Sequence, residues 1–142
     1  MFDDNLIDVT KLTDARTALI CARFNLRGGK RRLQRGLTVS GMAALYDSVL
    51  FGMRYYIAKH KHSAPIADKT DLWDAASLFH VLACARVFDD PLSFNRFSLI
   101  VERALWQGPS SFDVNTVITE SEKMLTKLEV IPLHKSALPN GP

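Results

Sequence analysis

The segment from Thr38 to Lys59 constrains this chain more than any other. Met42, Tyr46, Val49, Met53 and Ile57 recur at helical steps of three and four, with Leu50 beside them. Leu45, Phe51 and Tyr56 widen the stripe until only Ser40, Asp47 and Arg54, seven residues apart, form a narrow polar line. A helix that is apolar nearly all round is stable only when other elements cover it, so the segment is expected at the centre of the fold. Thr38 or Ser40 provides its N-cap, and at ~1.5 Å per residue it runs roughly 30 Å, the length of a small bundle.

The rest of the sequence supplies the covering helices. Thr13-Asp14 opens a first helix to about residue 35, where Ala15, Leu19, Ala22, Leu26, Gly29 and Leu33 form the buried stripe and Gly36 the stop. Gly28-Gly29 is its weak point, at roughly 1 kcal/mol per glycine relative to alanine. Gly29 falls on the stripe, where a missing side chain lets a neighbour approach; a kink at the pair is the competing expectation. His60 to Lys69 reads as a loop. Thr70 or Asp71 then caps a third helix with Leu72, Ala76, Phe79, Ala83 and Val87 inward and Trp73, His80 and Cys84 one step round, ended by Asp89-Asp90-Pro91. A fourth helix follows Ser93, with Phe94, Phe97, Ile100, Val101, Ala104 and Leu105 inward and Gly108-Pro109 as its close. Asp113 caps a fifth, whose stripe of Val114, Val117, Ile118, Ser121, Met124, Leu125 and Leu128 continues to Pro132. No segment alternates with the period of a strand. The expectation is an all-α, antiparallel, up-down bundle of four or five helices over residues 13–131, with an irregular N-terminal arm (1–12) and a flexible C-terminal tail (132–142).

Composition narrows the class. With 142 residues, 47% of them hydrophobic, the chain buries enough surface to fold without metal or disulfide, and no apolar run reaches the ~20 residues of a membrane span. The acidic start, Asp3-Asp4, is unlike a signal peptide, so a cytoplasmic protein is expected. Cys21 and Cys84 lie within apolar helical patterns and read as reduced core thiols.

The run Ala43-Ala44-Leu45-Tyr46-Asp47-Ser48-Val49-Leu50-Phe51-Gly52-Met53-Arg54-Tyr55-Tyr56 resembles the second helix of HEPN domains. The segment from Leu26 to Gly36, with Leu33 and Gly36, is similar to that family's basic first helix and its terminating glycine. Leu78-Phe79 and Glu102-Arg103-Ala104-Leu105-Trp106 stand where the family often has a leucine-phenylalanine pair and an arginine-alanine-leucine segment. The resemblance spans about residues 14–128. It implies a dimer with the last helices of two subunits facing each other and, in some members, a metal-independent ribonuclease using Arg-x4-6-His near the start of the last helix. Ser110 through Lys123 contains neither arginine nor histidine, so that chemistry does not carry over. Non-catalytic members are similar to binding or antitoxin-like subunits paired with nucleotidyltransferase-type proteins.

Three groups of residues are candidates for function. Arg54-x5-His60 fits the bare nuclease spacing, with arginine to stabilise a phosphorane and histidine to move a proton, but it lies on the second helix. The favoured alternative puts Arg54 on a solvated stripe, and His60, with Lys59 and Lys61, at a helix C-terminus that favours cations. A pocket joining Asp47, Arg54 and His80 would bring acid, cation and base together, although His80 beside Trp73 and Cys84 also reads as a partly buried, hydrogen-bonded side chain. His60 and His62 lack a third ligand and a rigid frame, so no metal and no cofactor are assigned.

The third group is the basic strip of the first helix. Arg16, Arg23, Arg27, Lys30 and Arg31 share about a third of its circumference, and Arg35 extends the charge. Ile20 and Phe24 stand among them. Phosphate backbones attract such a strip and Phe24 can stack on a base, yet a net charge of only +3 and two large apolar residues one turn apart favour protein contact over nucleic acid. The sequence therefore points to a non-catalytic helical binding module that self-associates, with or without a second protein. A metal-independent ribonuclease or nucleotide-processing enzyme using Arg54 and His60, or a pocket with His80, is the alternative.

Overall fold

The computed structural model describes residues 14–60 and 74–132. These form five helices and no strand: α1 (Ala15–Gln34), α2 (Thr38–Lys59), α3 (Ala75–Cys84), α4 (Ser93–Gln107) and α5 (Val114–Lys127), with a 3-10 turn, Pro109–Ser111, between the last two. The bundle is all-α, and α2 is at its centre, touching each of the other four helices. Met42, Leu45, Val49 and Met53 on α2 are inaccessible to solvent.

α1 and α2 form an antiparallel hairpin seated by two glycines. Gly29 of α1 lies against Leu45 of α2, and a Cβ there would stand 2.9 Å from Leu45 Cδ2 and 3.0 Å from its backbone nitrogen. Gly41 of α2 lies reciprocally against Leu33 of α1, where a Cβ would meet Leu33 Cγ at 2.7 Å and its nitrogen at 3.0 Å. Each glycine thus receives the other helix's leucine, and the backbones come closer than any side chain would allow. Between these contacts and the open end of the hairpin, the buried Ser48 donates from Oγ to the Ala22 carbonyl at 2.7 Å. α1 runs through Gly28-Gly29 without interruption, so close approach and not a break is the use of the pair.

Caps set the helix ends. Asp14, Asp74 and Asp113 each accept a backbone N–H of the turn they open, from Arg16, Ser77 and Thr116. α2 has no side-chain cap, a correction to the roles expected of Thr38 and Ser40. The turn closing α1, with Gly36 at φ +81° and Leu37 N–H donating to the Arg32 carbonyl, runs straight into α2 and leaves Thr38 already helical. The same six-to-one closure ends α3 and α5 without glycine: Arg86 (φ 60°) and Glu129 (φ 66°) take the left-handed position while Val87 and Val130 N–H groups donate to Leu82 and Leu125. These closures stop α3 at Cys84 and α5 at Lys127, short of the proline signals at Pro91 and Pro132.

The face of α3 also departs from expectation. Leu78, Phe79 and Leu82 are buried, while Ala76, His80 and Cys84 are exposed, so the helix is turned by about one residue relative to the stripe read from sequence. α3 is apolar on nearly every side, and its packing on α2 and against Phe88 and Phe94 decides which side faces in. Cys84 is accordingly a surface thiol and Cys21 a half-buried one, both free. The N-cap of α3 is Asp74, later than the Thr70 or Asp71 expected from the sequence. The arm at 1–12, residues Thr70, Asp71, Leu72 and Trp73, His62, and the tail beyond Pro132 lie outside the described residues.

The two adjacent glycines of α1 should respond oppositely to the same substitution. Gly28→Ala meets only the Arg32 guanidinium at ordinary contact distance (3.6 Å), so the gain in helix propensity stands and stability rises by about 0.5–1 kcal/mol. Gly29→Ala pushes into Leu45 and its backbone and should cost about 1–3 kcal/mol in chemical denaturation, because the hairpin must open to admit the methyl group. A second measurement isolates the helix end: Arg86→Gly relieves a left-handed non-glycine residue and should raise stability by about 1 kcal/mol.

Candidate functional site

The titratable candidates are distributed over three separate places. Arg54 is not on a solvated line; it is 6% exposed, with its guanidinium 5.4 Å from the centre of the Phe51 ring and its charge acting on Asp47, one heptad earlier on α2. Burying the stem of a long cation along an apolar helix is favourable while the head keeps polar partners, which is how a central helix accommodates an arginine. Desolvation raises the Asp47 carboxyl above its ordinary range, and the Arg54 charge works against that rise.

His60 belongs to a different cluster, at the junction of α2 and the turn that closes α5. Its Nε2 is 3.1 Å from Glu129 Oε1, its ring lies 4.2 Å from that of Tyr56, and Lys59 Nζ donates to the same carboxylate oxygen at 2.6 Å. The left-handed backbone at Glu129 aims its carboxylate back at α2. His60 is thus bonded to Glu129, while Arg54 lies along Phe51. Lys59 holds the Glu129 carboxyl below its usual range, and Glu129 in turn raises the Lys59 ammonium. With the buried Leu128 and Val130 on either side, the cluster fastens the last turn of α5 to the end of α2.

His80 lies in a third place, an open groove of about 550 Å³ between α2, α3 and α4. Tyr46, Phe79 and Phe94 form its aromatic floor, and Asp74, His80, Asn95 and Ser98 supply polar groups. Neither Asp47 nor Arg54 lines it, so the structure does not bring the expected trio of Asp47, Arg54 and His80 together. His80 is exposed, not half-buried, with its Nε2 3.7 Å from Cys84 Sγ one turn later. Asp74 is committed to capping α3 through the Ser77 N–H and hydroxyl, and those bonds lower its carboxyl. Among the described residues, no group of three or more histidine, cysteine or acidic side chains could hold a metal, and no helix is long and apolar enough to cross a membrane.

The basic strip of α1 divides into tied and untied cations. Arg23 Nε donates to the Val130 carbonyl at 3.1 Å, and Lys30 Nζ pairs with Glu122 at 2.8 Å, so these two bind α1 to the turn after α5 and to α5 itself. Arg27 and Arg31 are exposed and pair with no carboxylate among the described residues. Ile20 and Phe24, 58% and 71% exposed, share their face.

A second apolar face lies on α4 and was not read from the sequence. Leu92 (56% exposed), Leu99 (56%) and Trp106 (84%) stand seven residues apart, and Leu105, expected inside, is 45% exposed. The seven-residue spacing is the signal that reveals this stripe. It is obscured in the sequence by the stronger inward set of Phe94, Phe97, Val101 and Ala104 on the opposite side of the same helix.

No family model, curated protein or solved structure matches the chain.

The Lys59–Glu129 pair makes a pH-dependent contribution to stability. The lowered Glu129 carboxyl contributes above its ordinary value of 4.5 and loses that contribution as pH falls through its folded value; the raised Lys59 contributes below 10.5 and loses it as pH rises through its own. Both groups are well exposed, so the contribution is about 0.2–1 kcal/mol. Glu129→Gln should cost that much in urea unfolding at pH 7, and the difference from the parent should close below pH 4.5. A difference that persists unchanged at pH 3 would assign the loss to packing instead of charge.

Proposed function

We propose that this protein is a non-catalytic helical binding module that works as a homodimer, with the α4 stripe as its face for a second copy. The carrying observation is Trp106, 84% exposed at the end of a line of exposed leucines on one helix. Large exposed aromatic residues of this kind are typical anchors of protein interfaces, where their burial contributes more than that of any neighbour.

The flanks of the stripe favour a copy of the same chain. At ~100° per residue, Leu92, Leu99 and Trp106 fall within about 40° of one another, with Arg96 and Arg103 to one side and Asn95 and Glu102 to the other. Across a two-fold axis with the α4 helices parallel, opposite flanks face each other at equal height. Arg103 of each copy then meets Glu102 of the other, while the apolar residues meet their own equivalents. An antiparallel pairing would instead place Arg96 against Arg103, like charge against like.

The exposed Ile20–Phe24 face of α1 is left for a protein contact of another kind, including the nucleotidyltransferase-type partner that the HEPN resemblance implies. The ribonuclease reading has less support, because His60 is bonded to Glu129 and packed on Tyr56, Arg54 lies along Phe51, and His80 lies in a groove that neither lines. Cleavage of single-stranded RNA in EDTA that is lost in His60→Ala would restore it.

Light scattering over a dilution series should give twice the chain mass at high concentration. Trp106→Glu should yield a monomer with unchanged helix content, whereas Phe24→Glu should remain a dimer. Glu102→Arg should weaken the dimer, and adding Arg103→Glu should recover it by exchanging the charges. A strict monomer at high protein concentration would overturn the reading.

A further inference from the structure

The face of α1 around Phe24 combines two features that name the chemistry of what covers it. Ile20 and Phe24 are exposed one turn apart, and Arg27 and Arg31 continue the same face with no carboxylate partner among the described residues. Apolar residues continued by arginines that pair with no carboxylate among the described residues suit a segment that is both apolar and acidic. A polyanion such as RNA would satisfy the arginines and leave Ile20 wet, and a wholly apolar segment would leave two guanidinium groups without a counter-charge.

The chain carries such a segment immediately before α1 in sequence. Residues 1–13 interleave Phe2, Leu6, Ile7, Val9 and Leu12 with Asp3, Asp4 and Asp8, and they hold one basic side chain, Lys11. The segment joins the described structure at Asp14, the N-cap of α1 itself. Phe24 lies ten residues along, or about 15 Å at the helical rise, well within the span of a dozen extended residues at ~3.3 Å each. Tethering this short acts as an effective concentration on the order of millimolar, so the contact requires only weak intrinsic affinity.

We infer that the N-terminal segment, residues 2–12, docks in cis on the Ile20–Phe24 face of α1, with its aspartates against Arg27 and Arg31. The inference rests on the reading of this face as a protein-docking surface and commits to its occupant. An acidic, apolar segment of another protein would have to displace the chain's own, so the arm sets a threshold for any partner of α1.

The test uses the full chain with a nitroxide at Asn5→Cys in a Cys21→Ala, Cys84→Ser background, read by the amide signals of α1. Signals from Ile20 to Arg31 should be broadened when label and isotope are on the same chain, and unaffected when a labelled chain is mixed with an isotope-enriched unlabelled one. The broadening should be lost in Phe24→Glu and in the triple variant Asp3→Asn, Asp4→Asn, Asp8→Asn. It should weaken in about 1 M salt, where the screening length falls to about 3 Å. No broadening on the single chain would overturn the proposal. Broadening in the mixed sample as well would also overturn it, by assigning the face to the arm of a second copy. Trp106→Glu separates the two readings, since a monomer that keeps the broadening leaves the arm in place whatever becomes of the α4 dimer.

Discussion

The close seating of α1 on α2 is the contact on which the rest of the bundle depends. Gly29 and Gly41 remove two side chains at the points where Leu45 and Leu33 would otherwise collide with backbone, so the helices approach until main chain meets side chain directly. That approach brings Ser48 within hydrogen-bonding distance of the Ala22 carbonyl, and it excludes solvent from Ala18, Ala22, Met42 and Leu45. Dispersion between closely packed atoms falls steeply with even a fraction of an ångström of separation, so a hairpin held further apart would forfeit much of this contact.

With one side of α2 committed to α1, the other helices share what remains of its circumference. α5 lies against Gly52, where Leu125, Leu128 and Val130 fill the space a side chain would take, and α3 and α4 meet α2 through the aromatic group of Tyr46, Phe79, Phe94 and Phe97. The polar groups that sequence pattern suggests for chemistry are absorbed by this arrangement. Arg54 lies along Phe51, Glu129 draws Lys59 and His60 to the end of α5, and Arg23 and Lys30 tie α1 to α5 and the turn that follows it. What is left facing outward on α1 and α4 is apolar and basic in a pattern that suits contact with protein, which is why the functional reading rests on surfaces and not on a pocket.

Much of the architecture is legible along the chain because local rules and packing agree. The central place of the second helix, the buried stripes of the first and fifth, and the aspartate caps at Asp14 and Asp113 all follow from spacing that repeats over several turns. The departures occur where one of those rules is silent. α3 is short and apolar all round, so periodicity cannot say which face turns inward, and His80 and Cys84 emerge on the surface as a result. α3 and α5 end at Arg86 and Glu129 in the left-handed conformation, a role that glycine announces in sequence and these residues do not.

The sequence by itself determined an all-α bundle, the central helix and the glycine on which its neighbour rests, because helical period and the absence of a Cβ are properties of the chain before it folds. Only the tertiary structure decided the company each polar residue keeps. Arg54 and His60 have a suggestive spacing, but a helix turns about 100° per residue, and six residues direct them to different neighbours. Whether Arg23 belongs to a free basic strip, or Leu105 to the core, depends likewise on which helix packs against it. That is set by contacts between residues as far apart as Arg23 and Val130, on which no local pattern bears.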